Sequence, residues 1–293
     1  MPHHPSVREF AAGDSGGGPY GIATGPDGAL WFTLVHSGRI GRMSPDGHTT
    51  VHPLPGPEDG PAVITPGPDD ALWFTLSRGN GIGRMTPGGD SAVFPVPGGA
   101  PFGITAGPDG AMWFTDTSTG SIGRLTPGGD LTRFPLPVQG AVPAMITCGP
   151  DGALWFSLNQ ADAIGRLTVA GETTLHQLPT GAAPVGITAG ADGALWFTEI
   201  AAGQIGRITV TGELHEFPLP DRTARPHAIT ADPAAGCWFT EWAAGRVGHI
   251  TFDGHISVYD LPNPSSEPHG ITIGPDGAVW TALETGAIAR LAV

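Results

Sequence analysis

Residues 101–137 read PFGITAGPDGAMWFTDTSTGSIGRLTPGGDLTRFPLP, and the order of pieces in this stretch decides the fold. A Pro-led apolar segment reaches a Gly-Pro-Asp-Gly turn, then come Met-Trp-Phe-Thr, Ser-Ile-Gly-Arg-Leu, a Pro-Gly-Gly-Asp turn and Leu-Thr-Arg-Phe-Pro. Short β-branched and aromatic runs broken by Gly, Pro and Asp form strands. Four such runs within roughly 40 residues make one blade of a propeller. Pro opens the first run and closes the last, the positions where a missing N–H does least harm.

The unit recurs along the whole chain. Trp31, Trp73, Trp113, Trp155, Trp196, Trp238 and Trp280 are spaced by 42, 40, 42, 41, 42 and 42 residues. The sequence therefore predicts an all-β, seven-bladed β-propeller with four antiparallel strands per blade, built from residues 1–293 as one domain. After Trp280 the chain ends at AIARLAV, which leaves the last blade one strand short. Val7-Arg8-Glu9-Phe10 is similar to the fourth-strand segment Leu214-His215-Glu216-Phe217, so the N-terminal strand is expected to complete that blade and close the ring.

Composition narrows the function. Gly and Pro supply 78 of 293 residues, which argues against long helices, while 40% hydrophobic residues and eight Trp provide a core. Net charge is −14 and all 13 cations are Arg, so nucleic acid and anionic membrane are poor partners. The absence of Lys excludes Schiff-base chemistry and a P-loop. Cys148 and Cys237 stand apart with no metal-ligand spacing and read as inert strand residues. MPHHPSVREF lacks the apolar core of a signal peptide and no apolar run of membrane-spanning length occurs, so a soluble, cytoplasmic protein is expected.

Comparing equivalent slots separates scaffold from site. The turn Asp and the Arg of Ile-Gly-Arg recur in nearly every copy, with His249 replacing one Arg, and read as structural ion pairs. The slot after the first-strand Pro, which should face the central axis, reads Tyr20, Ala62, Phe102, Ala144, Val185, His227 and His269. Only the last two copies place an imidazole there, and one residue before the Pro the same copies carry Arg225 and Glu267. Residues two apart on a strand share a face, so Glu267 should point with His269 and Arg225 with His227. The slot after Trp-Phe-Thr also turns acidic, with Asp116, Glu199 and Glu241, and Glu284 follows Leu283 in the last copy. Arg225, His227, Glu267, His269 and Glu284 thus gather on one sector of one rim beside an apolar wall, the make-up of a small-molecule site. Imidazole serves as a base near neutral pH, and carboxylates without Cys suit Mg²⁺ better than Zn²⁺. His3, His4, His52, His176 and His215 read as solvated positions, and whether Glu199, Glu241 and Arg225 take part stays open.

Gly-Pro-Tyr-Gly-Ile at 18–22, Arg-Pro-His-Ala-Ile-Thr at 225–230, Glu-Pro-His-Gly-Ile at 267–271 and the following Trp280-Thr281-Ala282-Leu283-Glu284 resemble the virginiamycin B lyase (streptogramin B lyase) family over essentially the whole chain. The resemblance implies an enzyme, a carbon–oxygen lyase. Its members linearise cyclic type B streptogramins by Mg²⁺-dependent elimination at the ester through a threonine side chain, which gives antibiotic resistance. A monomer is expected. By motif, His269 resembles the base that removes the threonine α-proton, and Glu267 and Glu284 resemble the Mg²⁺ ligands. His227, Tyr20 and Trp242 resemble substrate-binding positions. Thr281-Ala282 departs from the Phe-Thr of the other copies and bears on how Glu284 is seated.

Two other readings stay open on the sequence. One is a non-catalytic propeller that binds a ligand or a protein on one rim, since fold does not establish function. The other is a lactone hydrolase of the same fold.

Overall fold

A computed structural model describes residues 6–292. The expected positions of His3 and His4 lie outside the described residues. Twenty-eight strands form seven four-stranded antiparallel sheets. Blade 3, the stretch quoted above, contributes Pro101–Ala106, Met112–Asp116, Ser121–Leu125 and Leu131–Pro135, hydrogen-bonded in that order. Among the described residues there is no α-helix, only the single 3-10 turns Asn159–Ala161 and Trp242–Ala244, and so no helix long and apolar enough to cross a membrane.

Each blade repeats the same fastening. The indole Nε1–H of Trp113 donates to Asp109 Oδ1 at 2.9 Å, and Arg124 Nε–H donates to Asp109 Oδ2 at 2.6 Å. Partial burial pushes the Asp109 carboxyl up, and these two hydrogen bonds together with the guanidinium charge outweigh it and hold the group below its ordinary value. In blade 6, His249 takes the Arg position, 3.2 Å from Asp232. The repeated Asp and Arg are therefore scaffold.

A fourth-strand ring packs against every blade Trp, stacked in all but blade 6, where Tyr259 is tilted by 35°. Phe94, Phe134, Phe217 and Tyr259 do so in blades 2, 3, 5 and 6, with centroids 5.2–5.7 Å apart. His52 and His176 hold the same place over Trp31 and Trp155, at 5.6 and 5.5 Å. This corrects their reading as solvated residues: each imidazole replaces a packing Phe, and its Nε2 is buried without a partner among the described residues. His215 does remain exposed, beside Glu213.

The ring closes as the sequence expects. Ser6–Ala11 pairs antiparallel with Ala287–Ala292 as the fourth strand of blade 7, and Phe10 stacks on Trp280 at 5.4 Å. Neighbouring inner strands are joined by the Thr of Trp-Phe-Thr. The Thr33 hydroxyl accepts from Gly21 N–H at 2.8 Å and donates to the Ala62 carbonyl of the next blade at 2.7 Å. Blade 7 has Ala282 in that register, opposite Ile288, and Thr281 turns its hydroxyl to Gly270 of its own blade. The junction from blade 7 to blade 1 thus lacks the hydroxyl bridge. It keeps the close backbone approach found at other junctions, since a Cβ at Gly270 would lie 2.6 Å from the Tyr20 carbonyl, as one at Gly21 would lie 2.5 Å from the Ala62 carbonyl.

Candidate functional site

The seven inner strands surround an axial cavity of about 210 Å³, lined mainly by Ile side chains. At one mouth of it, slot residues from four blades meet. Tyr20 lies over His269 with ring centroids 4.4 Å apart, His227 meets His269 edge-on at 4.9 Å, and Phe102 reaches Tyr20 at 6.2 Å. The axial slot therefore does what the repeat comparison expects, bringing both histidines and Tyr20 into one cluster. Trp242, in the turn after the second strand of blade 6, stands 6.3 Å from His269.

His269 is buried, and its Nε2 lies 2.5 Å from Glu284 Oε2. Burial lowers its pKa, against the pull of the Glu284 carboxylate, so the ring is neutral at neutral pH. His227 is pushed further, down to about 3, by burial and then by the neighbouring His269. Burial also drives the Tyr20 phenol well above its ordinary value, so it stays protonated as a donor. Its hydroxyl is a long 3.5 Å from His227 Nε2. Three buried polar atoms around this cluster, His227 Nδ1, His269 Nδ1 and Trp242 Nε1, have no partner among the described residues. Unpartnered buried polar atoms are costly, and three in one place mark where a polar ligand would repay them.

Glu284 is held as the other blades hold that position. Its N–H donates to the Glu267 carbonyl at 3.2 Å, as Trp242 N–H donates to Arg225 at 3.1 Å, so the Thr281-Ala282 departure leaves its seat unchanged. Glu267 and Arg225 do not share a strand face with the histidines. Both lie just before the inner strand with φ of 52° and 53°, the left-handed region, so the two-residue alternation does not extend to them. Glu267 is exposed in this turn, and its backbone carbonyl accepts from Glu284 N–H. Arg225 instead places its guanidinium 5.9 Å over the Trp242 ring.

The remaining acidic residues lie elsewhere. Asp116, Glu199 and Glu241 are fully buried at the ends of second strands. Glu241 is tied to Arg246 at 2.6 Å and Glu199 to Gln204 at 2.7 Å, and neither bonds to a histidine. Sequence comparison misses His36. From the blade 1 loop its Nε2 lies 2.9 Å from Glu284 Oε1, across the closure. The signal was faint: Glu284 and His36 follow equivalent second strands in blades 7 and 1, adjacent in the ring but 248 residues apart in sequence.

Glu267 and Glu284 offer only oxygen donors on two segments tied by a backbone hydrogen bond. Among the described residues no three His, Cys, Asp or Glu side chains gather into a metal cage. Such a pair does not fit tetrahedral Zn²⁺ but does fit Mg²⁺, which keeps several waters and needs one or two carboxylates.

Comparison with known proteins gives the same direction over nearly the full length. The model of the virginiamycin B lyase family matches residues 5–291. Virginiamycin B lyase of Streptomyces coelicolor is 62% identical over 50 residues, a stretch spanning 17% of this chain and 17% of that relative's length. The crystal structure of virginiamycin B lyase from Staphylococcus aureus is 42% identical, covers 99% of each chain and superposes with a TM-score of 0.95. A catalytically inactive histidine-to-alanine variant of that Staphylococcus aureus protein, solved with quinupristin, is 41% identical over 99% of each chain, again with a TM-score of 0.95. With blades, closure and axial cluster all accounted for within one matched span, this chain belongs to the virginiamycin B lyase family.

Proposed function

We propose that this protein opens cyclic type B streptogramin lactones by elimination at the threonyl ester. The observation that carries the reading is His269, a neutral buried imidazole fixed by Glu284 at the edge of an aromatic pocket. The relative inactivated by one histidine-to-alanine change, with quinupristin in its structure, supports both the residue type and the ligand class.

The chemistry follows from charge. A proton beside an amide carbonyl is weakly acidic, so its removal needs a positioned base and a counter-charge on the carbonyl oxygen. His269 takes the α-proton of the threonyl residue. The C–H electron pair becomes the Cα=Cβ bond, the Cβ–O bond breaks, and its pair leaves with the carboxylate, so no water is consumed. A neutral ring whose Nε2 faces the Glu284 carboxylate donates Nε2–H to it and carries its lone pair on Nδ1, the nitrogen with no partner among the described residues, and there the α-proton is taken. Glu267 and Glu284 would hold Mg²⁺, which when bound would supply that counter-charge. His227, neutral because of its low pKa, and the Tyr20 phenol offer hydrogen bonds to the ring's amides, while Trp242 and Phe102 cover its apolar side.

The metal part has its own test. Chelation should abolish turnover and added Mg²⁺ restore it. Glu267→Gly should lower turnover at limiting Mg²⁺ by about 10²-fold or more, the loss of one of two charged ligands. The same change should leave the melting temperature nearly unmoved, because Glu267 occupies a φ of 52° that Gly adopts freely. Full turnover in excess chelator would remove the metal from the account.

A further inference from the structure

On the same rim, between blades 5 and 6, a second cavity of about 380 Å³ is lined by Ile200, Ala201, Arg222, Thr223 and Arg225. Its charge is out of keeping with the rest of the molecule. Nine of the 13 Arg form ion pairs with carboxylates among the described residues. Arg222 and Arg225 form none there, and both line this one cavity.

The two guanidiniums are placed, not trailing. Arg222 Nε–H donates to the Ala202 carbonyl at 2.7 Å, which leaves its terminal nitrogens free. Arg225 lies 5.9 Å over the Trp242 ring, and that ring is 6.3 Å from His269. Of the nearby acids, Asp221 accepts from Arg246 at 2.8 Å and from Thr223, while buried Glu199 accepts from Gln204 through Oε2, feels the Arg222 charge and has no partner for Oε1 among the described residues. Burial lifts Glu199 to about 7, which weakens it as a competitor for the guanidiniums.

An ester has no charge for such a pair to bind, whereas ring opening creates one. The Cβ–O electron pair departs with the acyl oxygen, so each turnover yields one new terminal carboxylate. Resting on the elimination reading above, we propose that Arg222 and Arg225 form a carboxylate subsite that receives this released terminus, with Trp242 as the wall between base and subsite. A freed peptide end advances about 3.3–3.6 Å per residue, so a few residues span the way from His269 past Trp242.

The test compares the linear peptide acid, made by alkaline opening of the lactone, with its C-terminal amide by calorimetry in Mg²⁺ buffer. The wild-type protein should bind the acid at least about tenfold more tightly than the amide, the effect of a charge-assisted hydrogen bond. In the double variant Arg222→Ala with Arg225→Gly, that ratio should fall to about one while affinity for the closed lactone changes less than about threefold. Gly is chosen at 225 because φ there is 53° and Gly18 and Gly60 hold the equivalent place in blades 1 and 2. Equal binding of acid and amide by wild-type protein that does open the lactone would overturn the subsite and leave the elimination reading standing. A preference that survives the double substitution would overturn it too. Failure to open the lactone at all would overturn both.

Discussion

His269→Ala is expected to lower turnover of a type B streptogramin by about 10²–10⁴-fold, the usual contribution of a positioned general base. The fold should survive. The side chain borders the mouth of the axial cavity, so Ala gives up the bond between Nε2 and Glu284 and the contact with the Tyr20 ring, while the His269 carbonyl keeps its bond from the Thr240 hydroxyl at 3.0 Å. Stability should fall by about 1–3 kcal/mol, short of unfolding the ring. Steady-state kinetics and a thermal melt on the same preparation check both halves. Retained turnover would take the base role from His269, and loss of turnover with loss of fold would show the residue to be structural.

A chain beginning at Ala12 is expected to suffer the largest stability loss of any change considered. Removing Ser6–Ala11 strips the edge of Ala287–Ala292 and uncovers Trp280 where Phe10 stacked. It also cuts the tie to blade 1 made by the Thr49 hydroxyl to the Ala11 carbonyl at 3.3 Å. The loss falls at the junction that already lacks a hydroxyl bridge, since Ala282 stands where the other blades have Thr or Ser. Loss of a packed Phe alone costs about 3–5 kcal/mol, comparable to the whole stability of many domains. At about 2–4 °C per kcal/mol the melting temperature should drop by roughly 10 °C or more. A melt within about 2 °C of the full chain would mean that the ring does not depend on this strand.

What the sequence made legible, and what it hid, follows from where the repeat is strict. Seven Trp at near-constant spacing gave blades, register and closure, because each Trp must meet the same Asp and the same fourth-strand ring. The strictness also exposed Tyr20, His227 and His269, since one slot with changing residues stands out against fixed neighbours. At His52 and His176 the polar residue type suggests solvent, whereas the slot demands a flat ring over Trp. Glu267 and Arg225 were misassigned to a strand face because alternation holds only within the strand, and both sit one residue before it in a left-handed turn. His36 was missed because ring closure alone brings blade 1 to Glu284. The buried setting of Glu199 and Glu241 was likewise hidden, since their partners Gln204 and Arg246 belong to the next strand and only the fold pairs them.

The measurement that tests the central claim most directly is the mass of the product after incubation with a type B streptogramin and Mg²⁺. Elimination moves a proton and an electron pair within the substrate and adds nothing, so a linear product of the same mass as the ring, carrying a new Cα=Cβ bond, is the expected result. A product heavier by one water would contradict elimination and make the protein a lactone hydrolase, and an unchanged ring would contradict catalysis on this substrate class.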